Sequence, residues 1–392
     1  MEKHLLFDDL KTAFAHRSDK ELRKARFIFS VIGNPYISAI LTFLVRFALL
    51  LKLPVKYFVK HSVFEHFCGG ETIEYSEQTI RKLASGKVGA ILDYSVEGEE
   101  SEQGFNSTIQ EIIKTIEYSG KADHVPFCVF KMSGIGPVEV MRKVSADEEL
   151  TDGEFAAFEE LKGRVKRVCA YAASKRKPIM VDAEETWIQK AVDQVVYEMM
   201  EKYNKEEAIV FNTYQMYRRD ALDLLNDAME QANNLSYFLG AKLVRGAYME
   251  NERERSAEWG LPDPIHPNKP ATDKCFNEGL LLCVKNAEKV SVMCASHNEQ
   301  SNEYLAECMG RFSFQNSDKR FWFAQLYGMG DHISFNLAAK GYNVTKYVPY
   351  GPVKKVLPYL LRRAEENTSV AGQSPRELQL IKKEIERRKL HA

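Results

Sequence analysis

The chain has 392 residues, enough for one large domain or a large domain with helical extensions. Hydrophobic residues make up 45% and charged residues 28%, the balance of an ordinary globular protein. A formal net charge of -1 offers no field for a nucleic-acid partner, and none is expected.

Residues 1–30 are charged and lack an apolar core followed by a small-residue cleavage site, so secretion is not expected. The stretch Ile37–Val55 (ISAILTFLVRFALLLKLPV) approaches bilayer-spanning length, but Arg46 lies at its centre. It reads as a buried or amphipathic helix. The alternative is a membrane-surface contact to which Arg46, Lys52, Lys56 and Lys60 lend charge. Residues 1–80 are therefore assigned to an N-terminal helical arm.

From about residue 88 onward, short apolar runs alternate with helix-length amphipathic stretches. The runs are VGAILDYS (88–95), PFCVFKMS (126–133), PIMVDAEE (178–185), AIVFNTYQ (208–215), GAKLVRGAY (240–248), VSVMCASHN (290–298), FWFAQLYG (321–328) and NVTKYVPYG (343–351). Eight strands with intervening helices predict a closed parallel (βα)8 barrel over 81–367. A doubly wound sheet is the rival, but no G-x-G-x-x-G follows the first strand. Each run begins apolar and ends polar, at Asp93, Lys131, Asp182, Asn212 with Gln215, Arg245, His297, Gln325 and Tyr347. Strand carboxyl ends meet at one face of such a barrel, where active sites sit. Residues 368–392 read as a charged helical tail.

Seven cysteines lie at 68, 128, 169, 275, 283, 294 and 308, with no C-x-x-C and no zinc-ligand spacing. They indicate a reducing compartment, no disulfide framework and no metal.

The last barrel helix, VKKVLPYLLRRAEEN, puts Tyr359, Arg362, Arg363 and Glu366 on one face at i, i+3, i+4 and i+7. An aromatic beside two guanidinia suits a small carboxylate with an apolar ring; a solvated amphipathic surface is the plainer reading. Lys242, Arg245, Gly246 and Ala247 combine cationic donors with open backbone, suited to a pyrophosphate or an electron-rich ring. The residues alone lead to a barrel enzyme for a small anionic substrate.

KLVRGAY (242–248), QLYGMGD (325–331) and YVPYGPVKKVLPYLLRRAEEN (347–367), supported by VDAEET (181–186) and VFNTYQMYRRD (210–220), resemble the proline dehydrogenase family. The resemblance runs from about Gly69 to Asn367. It implies an α/β fold, a distorted (βα)8 TIM-type barrel with non-covalent FAD, oxidising L-proline to Δ1-pyrroline-5-carboxylate. Hydride passes to flavin N5 and electrons pass on to a membrane quinone. It further implies that Arg362, Arg363 and Lys131 hold the proline carboxylate, with Leu243, Tyr248, Leu326, Tyr347 and Tyr359 walling the ring. Glu97 is expected to pair with Arg362 as a gate, and Asp93 with Lys131. Asn212, Lys242, Arg245, Gly246, Ala247, His297 and Glu366 match positions on the flavin side, and Asp182 with Lys242 match catalytic positions. Many members read R-L-V-K-G-A-Y, so the two cationic positions are exchanged here. With no Arg- and Ser-rich presequence, the expectation is a cytoplasmic enzyme peripheral at the inner membrane face, or on the matrix side in a eukaryote. Two alternatives accompany this reading: a hydroxyproline dehydrogenase, which Tyr347 disfavours, and a non-catalytic membrane-associated scaffold.

Overall fold

The computed structural model describes residues 7–34, 36, 60–95, 99–369 and 373–390, with backbone only for 363–369 and 373–374. The stretch 37–55 and Glu97 lie outside the described residues, as do the side chains of Arg363 and Glu366.

Eight parallel strands close into a barrel in the order β1 to β8. They are β1 Gly89–Tyr94, β2 Phe127–Lys131, β3 Ile179–Asp182, β4 Val210–Gln215, β5 Leu239–Val244, β6 Val290–Ala295, β7 Phe321–Leu326 and β8 Val344–Tyr350. Each of the eight apolar runs from residue 88 onward is a strand. Two connections carry a second helix: Val138–Ser145 precedes Asp152–Ser174 after β2, and Met249–Trp259 precedes Lys269–Lys285 after β5. Among the described residues no helix is long and apolar enough to cross a membrane. All seven cysteines are buried and unbridged.

The chain divides into two compact units, Ile91–Ala324 and Met1–Ala90 with Gln325–Ala392. In the first unit, period-two alternation sorts side chains between barrel lumen and helices. Lys131 is level with Asp182, and Thr213 with Lys242. At the amino-terminal end of the lumen, Phe127 packs edge-on against Phe211 and Trp322, with ring centroids 5.4 and 5.0 Å away. Gly240 faces this layer. A Cβ there would sit 2.5 Å from the Val210 carbonyl oxygen and 2.6 Å from the Phe211 ring, so only glycine fits.

The second unit is held by an apolar cluster and an ionic clasp. Phe14, Leu22 and Phe29 of the amino-terminal helices cluster with Val356, Leu360 and Leu380 near the carboxyl terminus. Helix Asp19–Ile32 starts with a reciprocal Ser18–Glu21 capping box. Asp331 accepts from Arg17 Nε at 2.6 Å and lies 3.0 Å from Lys346 Nζ. Lys346 also donates to the Met329 carbonyl. Glu377 accepts from the Gly330 N–H at 2.5 Å, and Arg388 donates to the carbonyls of Phe14 and Arg17 at 2.8 and 2.9 Å. Burial would raise the Asp331 carboxyl, but Arg17 and Lys346 hold it well below its usual range.

Candidate active site

The inner faces of β1, β2, β3 and β5 end in a line of alternating charges. Lys131 Nζ lies 3.7 Å from Asp93 Oδ2 and 3.3 Å from Asp182 Oδ2. Lys242 Nζ donates to Asp182 Oδ1 at 2.5 Å. Ser95 Oγ donates to Asp93 at 2.5 Å. Asp93, Asp182 and Lys242 are buried, and Lys131 nearly so. Two carboxylates and two ammoniums make the line neutral, which is how four charges tolerate a site that desolvates them. Shared ammoniums so placed can take up a small carboxylate, and Asp182 is fixed between two of them.

A second belt lies one step further along the same strands. Glu184 accepts from the Ser133 N–H at 3.0 Å and from the Ser133 hydroxyl, anchoring the turn that follows Lys131. Gln215 Nε2 donates to the Glu184 carbonyl at 3.0 Å and to Tyr217 Oη at 3.3 Å. Gln215 Oε1 is buried with no hydrogen-bond partner among the described residues. The Tyr217 N–H donates to the Arg245 carbonyl at 2.7 Å. Gly246, at φ +127°, rests on the Tyr217 ring, and a Cβ there would come within 2.6 Å of it. Burial pushes the Tyr217 hydroxyl up, with Glu252 adding to the shift.

Sequence reasoning missed Ser133, Glu184, Thr213 and Tyr217, and had Gln215 only as a polar strand end. The alternation was the available clue: if Asp182 and Lys242 face inward, so do Glu184, Thr213 and Gln215.

The same alternation corrects two expected positions. Leu243 lies on the helix side of β5, where a Cβ on Gly279 of helix Lys269–Lys285 would meet its Cδ1 at 3.3 Å. Asn212 is likewise turned outward and donates to Asp193 Oδ1 at 2.7 Å. Burial raises the Asp193 carboxyl, and Asn212 and Gln189 offset part of that. Being one residue removed from inward-facing Lys242 and Thr213, neither Leu243 nor Asn212 can face inward with it.

Arg245 follows β5 and is fully engaged. Nε donates to Asp273 at 2.7 Å, Nη1 to Ser296 at 2.6 Å and Nη2 to Ser301 at 3.0 Å, with the Phe276 ring 4.5 Å away. His297 lies half-buried in the turn after β6, Ala247 is exposed, and Tyr248 is half-buried just before helix Met249–Trp259. In the other unit, Leu326 ends β7 and Tyr347 lies in β8, where its carbonyl accepts from the Tyr327 N–H at 2.9 Å. Tyr359 is buried and Arg362 half-buried on helix Val353–Ser369.

A closed eight-stranded parallel barrel with buried, alternating charges at its strand carboxyl ends defines an enzyme of the (βα)8 class. The family described as "Proline dehydrogenase" matches residues 76–376. The carbapenem antibiotics biosynthesis protein CarD of Pectobacterium carotovorum subsp. carotovorum is 37% identical over 322 residues, covering 82% of this chain and 83% of that one. Mitochondrial proline dehydrogenase 1 of Dictyostelium discoideum is 32% identical over 382 residues, covering 86% of this chain and 67% of its own. Proline utilization A from Bdellovibrio bacteriovorus, inactivated by N-propargylglycine, superimposes with a TM-score of 0.73 at 18% identity. That likeness covers 95% of this chain but 40% of the other, and it speaks to the fold. The chain belongs to the proline dehydrogenase family and is an oxidoreductase.

Proposed function

We propose that the chain oxidises L-proline to Δ1-pyrroline-5-carboxylate with non-covalently bound FAD and passes the electrons to a quinone. The observation that carries this reading is the buried line Asp93–Lys131–Asp182–Lys242, in a chain of this family. The residues present suit a flavin. The partnerless buried Gln215 Oε1 is an acceptor for a ring N–H, and Lys242 is a cation for an electron-rich ring. Bound there, FAD supplies the two-electron acceptor that amino-acid side chains lack.

The chain's own residues have the remaining work. Lys131, Arg362 and Arg363 are assigned the substrate carboxylate. Tyr248, Leu326, Tyr347 and Tyr359 are assigned the ring, and Arg245, Gly246, Ala247, His297 and Glu366 the cofactor. Asp182 orients Lys131 and Lys242. Glu97 is assigned to Arg362 as a gate. The secondary amine must be neutral before the adjacent C–H can be oxidised, and fixing that C–H in place lowers the barrier by up to about 7–11 kcal/mol.

The test is an absorbance spectrum of the purified protein, followed anaerobically after L-proline and, separately, trans-4-hydroxy-L-proline. Flavin bands that bleach with proline and barely respond to hydroxyproline support the reading. Bleaching mainly with hydroxyproline transfers the substrate assignment to that compound, and a protein without flavin bands after added FAD refutes it. Arg363→Met should raise KM for proline strongly with FAD still bound.

A further inference from the structure

Helix Met249–Trp259 follows Tyr248 directly, and Glu252 and Ser256 are its buried residues. Trp259 and the neighbouring Leu261 are exposed. So short a helix is marginal alone, and without an apolar stripe it has no hydrophobic face to anchor it. Polar ties hold it instead.

Glu252 Oε1 accepts from the Thr186 N–H at 2.6 Å, and Oε2 accepts from Thr186 Oγ1 at 2.6 Å. Thr186 opens the helix Thr186–Tyr203, whose own preceding residue, Glu185, makes no side-chain cap. Glu252 thus caps that helix from a different segment, where a carboxylate also complements the partial positive charge of the helix start. Nearby, the Arg255 guanidinium lies 4.7 Å from the Trp187 ring and 4.4 Å from the Trp259 ring, so one cation joins both helices. Arg253 Nη2 adds a bond to the His266 carbonyl at 3.2 Å. The Tyr248 carbonyl accepts from the Glu252 N–H at 2.9 Å, so the residue that makes the cap also fixes the backbone of Tyr248.

We propose that Glu252 and Thr186 form a latch that sets the position of Tyr248, making Glu252 a positioning residue for the substrate pocket. The inference rests on the assignment of Tyr248 to the proline ring. The latch joins a helix that begins four residues after Asp182 to a carboxylate four residues after Tyr248, and so ties the β3 and β5 ends of the site together.

The experiment uses the full, FAD-loaded chain. Glu252→Ala should raise KM for L-proline about tenfold, the equivalent of one lost charge-assisted hydrogen bond, with a smaller change in kcat. Thr186→Val, which removes the hydroxyl alone, should raise KM about threefold. Glu252→Gln, which keeps an acceptor oxygen, should recover part of the loss. Trypsin should cut after Arg253 or Arg255 faster in Glu252→Ala. Faster cutting with unchanged KM would make the tie merely structural and overturn the proposal, as would no change in either. If Glu252→Ala does not fold, Thr186→Val decides by the same criteria. Tyr248→Ala separates the two levels: an unchanged KM there removes Tyr248 from the pocket, whatever the latch does.

Discussion

The molecule contains two buried assemblies of lysine and aspartate, one in each unit, and they serve opposite ends. Asp93, Lys131, Asp182 and Lys242 line the lumen and join strands that neighbour one another or nearly so. Arg17, Asp331 and Lys346 lie where β8 and helix Asp331–Ala339 meet the amino-terminal arm, and they join residues over 300 positions apart. Burial and ion pairing are similar in both. What differs is the direction of the side chain: Lys346 turns outward to a backbone carbonyl, whereas Lys242 turns inward. Buried charge alone therefore does not mark a site; the face of the strand that carries it does.

The sharpest way to break this comparison is Asp331→Ala. It leaves Arg17 and Lys346 buried without their carboxylate and should cost about 3–5 kcal/mol, read as a lower denaturant midpoint. Asp182→Ala should invert the pattern, with kcat/KM falling about a hundredfold and a smaller loss of stability than Asp331→Ala causes. Equal stability losses would mean that the lumen line, too, is chiefly structural.

A pH series sharpens the contrast. Burial, reinforced by Arg17, lowers His66 from 6.5 to about 3. The unfolded chain takes up that proton near pH 6.5 and the folded chain only near 3. Stability should therefore fall as pH drops through this window, by about 1.4 kcal/mol per unit from this group. His66→Phe should remove that part of the slope in urea titrations at pH 7 and pH 5. The smallest effect expected is from Gly246→Ala, about 1–3 kcal/mol from its φ of +127° and the Tyr217 ring. Tyr217→Ala in the same chain should relieve the ring clash and leave the backbone strain.

All eight strands were legible because each is an apolar run with a polar end, and their order followed from alternation with helices. Helix Met249–Trp259 was not, because with Glu252 and Ser256 buried it carries no apolar stripe. Lys131 and Asp182 stood out as polar strand ends, and Lys242 as a cationic donor beside Arg245 and Gly246. Leu243 and Asn212 were misplaced because position along a strand was weighed without its face. The clasp around Asp331 had no local trace: Lys346 sits in an ordinary-looking strand, and its partners come from both ends of the chain. Which residues cap one another across loops, as Glu252 caps Thr186, is a tertiary fact that no spacing encodes.

The seven buried thiols have a practical consequence. Burial pushes Cys128, Cys169 and Cys294 up to about 12, so a thiol-directed reagent at neutral pH meets a native protein with little to attack. One cysteine introduced at exposed Gly153, where an added Cβ meets nothing within 4 Å, would then be a single addressable handle for a fluorophore or a spin label. The chain comes ready for distance spectroscopy without first being stripped of its own cysteines.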